Sequence, residues 1–346
     1  MKIKFLGIAA IAAAAALLLS GCAQGEGSAL AAKPAATKAA SGTWSSDVLN
    51  IDFATYNPLS LVIKDQGWIE KTLGPKVKVN WIQSAGSSAA NQLLLAGSID
   101  VGSTAGSAAL LARSNGSPIK TIDVFSQPDW SAILVPAGSS ITSVKDLKGK
   151  SVAAAKGTDP YFFLLQSLAK FNVPLDSVKV QNLAHADGKT ALESGSVDAW
   201  SGLDPLLSAS VVNAGSKIIY DNPSFNSYGF LNATESFLAK SPDLAQVVVD
   251  AYEKARAFAI KNPAQTEAIL AKVAGIDPAI AKNVIEKRTN LNISPVPGAK
   301  EAAVLKVIGP VFVQTGDVAN QGLIDTALKS LFVTSYAKKA DASAIK

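Results

Sequence analysis

Short apolar runs alternate with segments of helical spacing from residue 48 onward. The runs predict strands at 48–54, 77–82, 99–103 and 120–125, and the spacing predicts a helix from Pro58 and helices at 87–96 and 105–115. Strands that alternate with helices in this way are typical of βαβ units, in which buried strands run parallel to one another. This part of the chain therefore predicts an α/β lobe.

The same alternation begins again near residue 151. Strands are predicted at 151–155, 178–183, 197–201 and 217–220, with helices at 159–171, 188–194 and 205–213. Residues 96–101 (AGSIDV) resemble residues 194–199 (SGSVDA), and Asn57-Pro58 and Asp159-Pro160 each start a helix in corresponding units. A repeat of about 100 residues is longer than a solenoid unit of roughly 20 to 50 residues. We therefore predict two similar α/β lobes.

The remainder of the chain is almost entirely helical in pattern, and Pro263, Pro278 and Pro297 mark the ends of its helices. We expect residues 48–133 to form the first part of lobe 1 and residues 134–228 to form lobe 2. Residues 229–339 are expected to return to lobe 1 and to continue as C-terminal helices packed on it. Residues 340–346 are predicted to be a tail. The fold class is thus α/β with two lobes.

The first 47 residues have a different character. Lys2 and Lys4 precede an apolar run at 8–19, and small residues follow it, which is the order of a secretory signal. The run is too short to cross about 30 Å of hydrocarbon. We expect residues 1–21 to be a lipoprotein signal peptide, and residues 22–47, rich in Ala, Gly, Ser, Lys and Thr, to be a flexible tether.

Residues 19–22 (LSGC) resemble the lipobox of bacterial lipoproteins, in which the cysteine is acylated. Cys22 is the only cysteine in the chain, so no disulfide within the chain explains it. The resemblance implies an exported lipoprotein, anchored to a membrane through Cys22 on its periplasmic or extracellular face. The alternative is an export signal without lipid and with an incidental cysteine.

Charge and composition exclude several function classes. The net charge is +5 and the lysines are spread along the chain, so we expect no nucleic-acid partner. His185 is the only histidine and is expected in a surface loop, and no Gly-x-Ser-x-Gly motif or metal-ligand cluster occurs. We predict a monomer that is not an enzyme, with no catalytic residue, metal or cofactor.

Polar and aromatic residues follow many of the predicted strands, where open α/β sheets bind ligands at helix N-termini. The ligand-binding candidates are Thr55, Tyr56, Asn57, Ser84, Gly86, Ser87, Ser103, Thr104, Ser107, Trp130, Thr158, Asp159, Asp187, Asp204 and Tyr228. The alternative for each hydroxyl, amide or carboxylate is a helix N-cap, worth about 1 kcal/mol. The alternative for Trp130 is packing between the lobes.

The charged candidates leave the sign of the ligand open. Arg113, Arg256 and Arg288, the only arginines, lie on predicted helices, so an anion would be held mainly by backbone N–H groups and hydroxyls. The carboxylates of Asp159 and Asp204, like that of Asp187, could instead pair with a ligand ammonium. For Asp159, capping of the helix that Pro160 starts is the favoured alternative.

Several motifs together resemble the type II periplasmic binding proteins of the aliphatic-sulfonate, taurine and nitrate importer family. They are 56–59 (YNPL), 67–70 (GWIE), 96–100 (AGSID), 146–150 (DLKGK), 156–158 (KGT), 195–200 (GSVDAW) and Asp204-Pro205. The resemblance covers about 48–337. It implies two α/β lobes joined by crossovers at about 131–136 and 227–233 that close on a ligand like a hinge.

The resemblance also implies a function. We expect an extracytoplasmic solute-binding protein of an ABC importer that captures a small polar or anionic ligand, such as an aliphatic sulfonate, taurine or a nitrate-like compound, and delivers it to the permease. The chain departs from the family pattern at Asp159-Pro160-Tyr161, where similar proteins often have a histidine, and at Leu203, where they often have an aromatic residue. The alternatives are a binding protein for a pyrimidine or riboflavin-type nutrient, and an enzyme of the same fold that makes pyrimidine precursors.

Overall fold

Two β-sheets with helices packed around them form the part of the protein that the structure, a computed structural model, describes, residues 44–346. The predicted signal peptide, Cys22 and nearly all of the predicted tether lie outside the described residues. Both sheets belong to one structural unit.

The first sheet forms lobe 1 and has six strands in the order β11-β4-β10-β3-β1-β2. They are β1 (Val48–Phe53), β2 (Lys78–Gln83), β3 (Val101–Ala105), β4 (Ile119–Pro128), β10 (Gly229–Thr234) and β11 (Thr289–Asn290). β1 pairs in parallel with β2 and β3, whereas β10 lies antiparallel between β3 and β4. The parallel strands confirm the predicted βαβ units of lobe 1.

The second sheet forms lobe 2 and has five strands in the order β7-β6-β8-β5-β9. They are β5 (Ser131–Val135), β6 (Ser151–Ala154), β7 (Lys179–Asn182), β8 (Ala199–Leu203) and β9 (Lys217–Asp221). β6 pairs in parallel with β7 and β8, as β1 does with β2 and β3 in lobe 1. This correspondence agrees with the repeat in the sequence.

Fourteen α-helices connect and cover the strands within residues 44–346. They are α1 (Pro58–Gln66), α2 (Trp68–Leu73), α3 (Ser87–Leu95), α4 (Gly106–Ser114), α5 (Asp159–Lys170), α6 (His185–Glu193), α7 (Leu206–Ala214), α8 (Glu235–Lys240), α9 (Pro242–Lys261), α10 (Pro263–Ala274), α11 (Pro278–Lys287), α12 (Ala299–Gln314), α13 (Gln321–Ser330) and α14 (Ser335–Lys338).

The chain passes between the sheets twice. It leaves lobe 1 after β4 and enters β5 through Asp129 and Trp130, and it returns from β9 to β10 through residues 222–228. β5 and β10 are therefore the strands on which the two predicted crossovers fall. Each is paired inside its sheet, so the residues just before it join the two lobes.

The C-terminal helices pack on lobe 1, as predicted. α9 lies against α1 and α2, while α12 and α13 lie against α4. α12 also reaches α5 of lobe 2, where the ring centroids of Phe312 and Phe162 are 4.4 Å apart. Between residues 44 and 346, none of the helices combines the length and the apolar character that crossing a bilayer requires.

Candidate functional site

Four helices begin at the edge where the lobes face each other: α3 and α4 from lobe 1, and α5 and α6 from lobe 2. Their N-cap residues are Gly86, Ala105, Thr158 and Ala184, and none of these caps its helix with a side-chain hydrogen bond. The first-turn N–H groups of a helix have no partner within it, and they carry a partial positive charge. Anions bind at such helix ends.

Asp159 connects the lobes at this edge. Its carboxylate accepts hydrogen bonds from Ser107 Oγ at 2.5 Å, from Ser227 Oγ and N at 2.6 and 2.8 Å, and from Trp130 Nε1 at 2.8 Å. Burial raises the pKa of Asp159, although these hydrogen bonds oppose the shift. The favoured alternative of helix capping is wrong, because Thr158 occupies the N-cap of α5 and Asp159 instead ties lobe 2 to Ser107 of lobe 1.

A second buried carboxylate lies below the lobe 1 loops. Asp52 of β1 accepts hydrogen bonds from Ser84 Oγ at 2.7 Å and from Ser103 N at 3.0 Å. Tyr56 donates its hydroxyl to Ser103 O at 2.8 Å and stacks edge-on against Trp130, with ring centroids 6.1 Å apart. Burial raises the pKa of Asp52 to about 6. The network fixes Ser84, Ser103 and Tyr56 in the floor of lobe 1.

The predictions missed Asp52. A carboxylate inside a largely apolar strand (48–53, VLNIDF) was the available signal, because a charged residue is rarely buried without hydrogen-bonding partners.

Two predicted contacts face the lobe 1 framework instead of the cleft. Asn57 caps α1 and donates to Tyr252 Oη at 2.9 Å. Thr104 accepts a hydrogen bond from Asn232 of β10 at 2.8 Å and donates to Ala105 O. Both side chains are fully buried with their polar atoms paired inside lobe 1, and their contact with a ligand stays a prediction.

Asp204 is already paired. One carboxylate oxygen accepts from Arg288 Nε, and the other accepts from Ser208 Oγ at 2.6 Å. Arg288 also lies 3.2 Å from Asp129 and 3.0 Å from Asp221. A protein guanidinium thus already pairs with Asp204, and a contact between Asp204 and a ligand stays a prediction. Arg288 follows α11, at the junction where the chain crosses between the lobes.

The remaining candidates fall into two groups. Ser87 accepts a hydrogen bond from Ala105 N at 2.9 Å, and Thr158 donates to Ala155 O at 2.6 Å, both at the cleft edge. Asp187 is exposed in the first turn of α6.

The other group lines cavities near the crossovers. Thr55 lines a cavity of about 10 Å³ with Tyr56 and Trp130. Tyr228 lines a separate cavity of about 720 Å³ with Gln127 and Arg256. The structure thus places the candidates in several parts of the molecule: the cleft edge, the interior of lobe 1 and two separate cavities.

His185 was expected in a surface loop, and that expectation is wrong. It is the first residue of α6 and is only 5% exposed. Neither ring nitrogen has a hydrogen-bond partner within residues 44–346. The ring lies against Gly86 of lobe 1, where an added Cβ would be 2.9 Å from Cδ2 and 3.0 Å from Nε2. Burial lowers the pKa of His185 to about 4.

The described residues contain no cluster of three or more His, Cys, Asp and Glu side chains arranged to hold a metal ion. The polar groups at the cleft are hydroxyls, an imidazole and helix N-termini, together with two carboxylates that protein donors already surround. This set suits an anionic or hydrogen-bond-accepting group better than a cation.

Comparison with protein families gives a match to the family model described as NMT1/THI5 like over residues 62–266. The chain belongs to this family. An aliphatic sulfonates-binding protein of Escherichia coli (strain K12) is 28% identical over 270 residues, which cover 78% of this chain and 84% of that protein. One of Bacillus subtilis (strain 168) is 28% identical over 237 residues, covering 67% and 71%.

Solved structures show the same fold. The periplasmic aliphatic sulphonate binding protein SsuA from Escherichia coli superposes with a TM-score of 0.70 at 26% identity, over 82% of this chain and 92% of that one. The alkanesulfonate-binding protein SsuA from Xanthomonas axonopodis pv. citri bound to MOPS gives 0.73 at 23% identity, over 82% and 98%. The fold is the two-lobed type II periplasmic-binding-protein fold.

The fold alone is shared with an enzyme. The desulfurization enzyme DSZB superposes with a TM-score of 0.62 at 13% identity, over 85% of this chain and 98% of that one. Fold similarity at this identity does not carry the reaction over, because function depends on the residues of the site.

Proposed function

We propose that this protein is the solute-binding component of an ABC importer and that its ligand is an aliphatic sulfonate. The observation that carries the proposal is the edge at which α3 and α6 begin on opposite lobes, with Gly86 and His185 in contact across it. Relatives named for aliphatic sulfonates, aligned over most of the chain, support the ligand class.

The physical argument concerns how a sulfonate is held. Its three oxygens share one negative charge, so several N–H donors and hydroxyls bind them at modest desolvation cost. The three arginines face other partners: Arg256 donates to the carbonyls of Phe125, Val124 and Leu291, Arg113 pairs with Glu235, and Arg288 pairs with Asp204. Helix N-termini would thus provide most of the positive potential, as expected from the sequence.

Closure is the second part of the proposal. Two hydrogen bonds join the lobes. One runs from Ser107 to Asp159, and the other runs from Ser88 Oγ to Lys156 O at 2.9 Å. In a hinged protein, a ligand that contacts both lobes adds its binding energy to these contacts and shifts the population toward the closed form. The closed form would then dock on the permease.

The proposal also covers where the protein is located and whether it catalyses a reaction. The protein is exported and held at the membrane through Cys22, which lies outside the described residues. We propose a binding role and not an enzymatic one, because the chain has one cysteine, assigned to the anchor, and one histidine, to which no described side chain is hydrogen-bonded.

A thermal-shift panel tests the ligand class. The purified protein is melted in phosphate buffer, because many common buffers are themselves sulfonates, with pentanesulfonate, taurine, nitrate or a pyrimidine precursor. A ligand at a hundred times its Kd stabilises the folded state by about 2.7 kcal/mol, which raises Tm by several degrees. Pentanesulfonate should raise Tm. A rise with the pyrimidine precursor alone would overturn the sulfonate assignment, and no rise with any compound would remove it.

A further inference from the structure

An imidazole without partners is unusual in the interior of a protein. His185 is 5% exposed, and both Nδ1 and Nε2 are buried without a hydrogen-bond partner within residues 44–346. Most buried polar side-chain atoms are hydrogen-bonded, because losing water without replacement costs free energy. No hydrogen bond from the described residues therefore compensates for the burial of the ring nitrogens.

The position of the ring points to a role between the lobes. His185 begins α6 in lobe 2 and lies against Gly86, the N-cap of α3 in lobe 1. α3 and α6 are both nine residues long, and neither has a side-chain hydrogen bond at its N-cap. Two helix N-termini and an unpaired imidazole therefore occupy the same place.

We infer that His185 contacts the ligand, donating a hydrogen bond from its ring to the anionic group held between α3 and α6, and that it makes ligand affinity rise as pH falls. This inference rests on the proposed function and adds a specificity-determining residue to it. His185 would favour ligands whose anionic group reaches the N-termini of both helices.

The charged surroundings do not provide another partner. α6 carries Asp187, Lys189 and Glu193, of which the last two form an ion pair at 2.8 Å. Lys156 follows β6, Asp159 begins α5, and Asp204 precedes α7. α3, β6, β8 and α7, the other elements around the ring, contain no titratable residue. Burial is the only cause that lowers the pKa of His185, to about 4.

The sign of the pH dependence follows from linkage. Without ligand, burial favours the neutral ring, whereas an anion beside it favours the imidazolium. Ligand binding therefore raises the pKa of His185, and by linkage the affinity for the anion increases as pH falls. A sulfonate stays ionised throughout this range, so only the protein titrates. A ligand that raises the histidine pKa from about 4 back to its ordinary value of about 6.5 gains about tenfold in affinity between pH 8.0 and pH 5.5.

Calorimetric titration with pentanesulfonate at pH 8.0 and pH 5.5 tests the inference. The wild-type protein should bind about tenfold more tightly at pH 5.5 and take up a proton, seen as a dependence of the enthalpy on buffer ionisation. His185→Gln, which keeps a polar side chain but cannot be protonated, should bind with equal affinity at both pH values. Glu193→Gln, a change at the exposed far end of the same helix, should keep the wild-type pH dependence.

A nuclear magnetic resonance titration needs no variant. Because the chain has one histidine, its imidazole signal is unambiguous. Pentanesulfonate should raise the pKa of that signal. Tight binding with an unchanged or lowered histidine pKa, or a pH dependence that persists in His185→Gln, would overturn the inference while leaving the proposed function intact. Absence of pentanesulfonate binding at both pH values would overturn the proposed function, and this inference with it.

Discussion

Gly86→Ala should weaken ligand binding by preventing full closure of the lobes. An alanine Cβ at this position would lie 2.9 Å from Cδ2 of His185, whereas ordinary contacts begin at about 3.4 Å. Overpacking of this kind costs about 1–3 kcal/mol, which corresponds to roughly 5- to 150-fold in affinity.

Two further variants separate this contact from other effects. Gly138→Ala is the control for steric contact, because a Cβ there would meet nothing within 4 Å, and it should bind like the wild type. Gly86→Ala combined with His185→Ala removes the ring that the new methyl group strikes. The double mutant should lose less affinity than the two single changes added together. The φ of 158° at Gly86 adds a backbone cost that His185→Ala does not relieve.

The assay is calorimetric titration of the wild type and these variants with pentanesulfonate in phosphate buffer. Wild-type affinity in Gly86→Ala would show that the lobes do not need to approach this closely. Additive losses in the double mutant would show that the methyl group acts through the backbone and not through His185.

Three other perturbations test separate parts of the site. Ser107→Ala removes one donor to the buried Asp159 carboxylate and should weaken pentanesulfonate binding by about 1–3 kcal/mol; unchanged affinity in the calorimeter would exclude this link from closure. Arg288→Met leaves Asp204 buried without its cation and should cost about 3–5 kcal/mol of unfolding free energy, and a urea titration showing less than about 1 kcal/mol would contradict the ion-pair account. His185 has a folded-state pKa of about 4 against an ordinary 6.5, so the folded state binds fewer protons and loses up to about 3 kcal/mol as pH falls between those values. His185→Gln should remove that part of the acid sensitivity in urea titrations at pH 7 and pH 4.5, and an identical pH dependence in both proteins would contradict the buried position of the ring.

Much of the local structure could be predicted because parallel strands buried on both faces appear as apolar runs. The run at 48–54 corresponds to Val48–Phe53, and the helix predicted at 159–171 corresponds to Asp159–Lys170. The insertion of β10 between β3 and β4 could not be predicted from pattern, because strands more than 100 residues apart form that pairing.

The error at His185 has a local cause. The helix was predicted to start near Gly188, but it begins three residues earlier, after Ala184, which provides no capping signal. Gly188 lies inside the first turn of α6, and Trp200 packs so closely against it that a Cβ there would be 2.7 Å from Nε1 of Trp200. A glycine needed for close packing thus looked like a loop residue.

The functional assignments of single polar residues depend on distant partners. Asp159 gave the local signal of a helix cap, yet its partners are Trp130, Ser107 and Ser227, which lie 29, 52 and 68 residues away. Sequence could place such residues at the cleft edge, since strand ends converge there. It could not show which of them hold the lobes together and which are available to a ligand.

A crystal structure of the protein grown with pentanesulfonate would locate the bound anion. We expect sulfonate oxygens between the N-termini of α3 and α6, within hydrogen-bond distance of a His185 ring nitrogen and of first-turn N–H groups. A sulfonate bound elsewhere, for example in the 720 Å³ cavity beside Tyr228, with α3 and α6 unoccupied, would contradict this expectation.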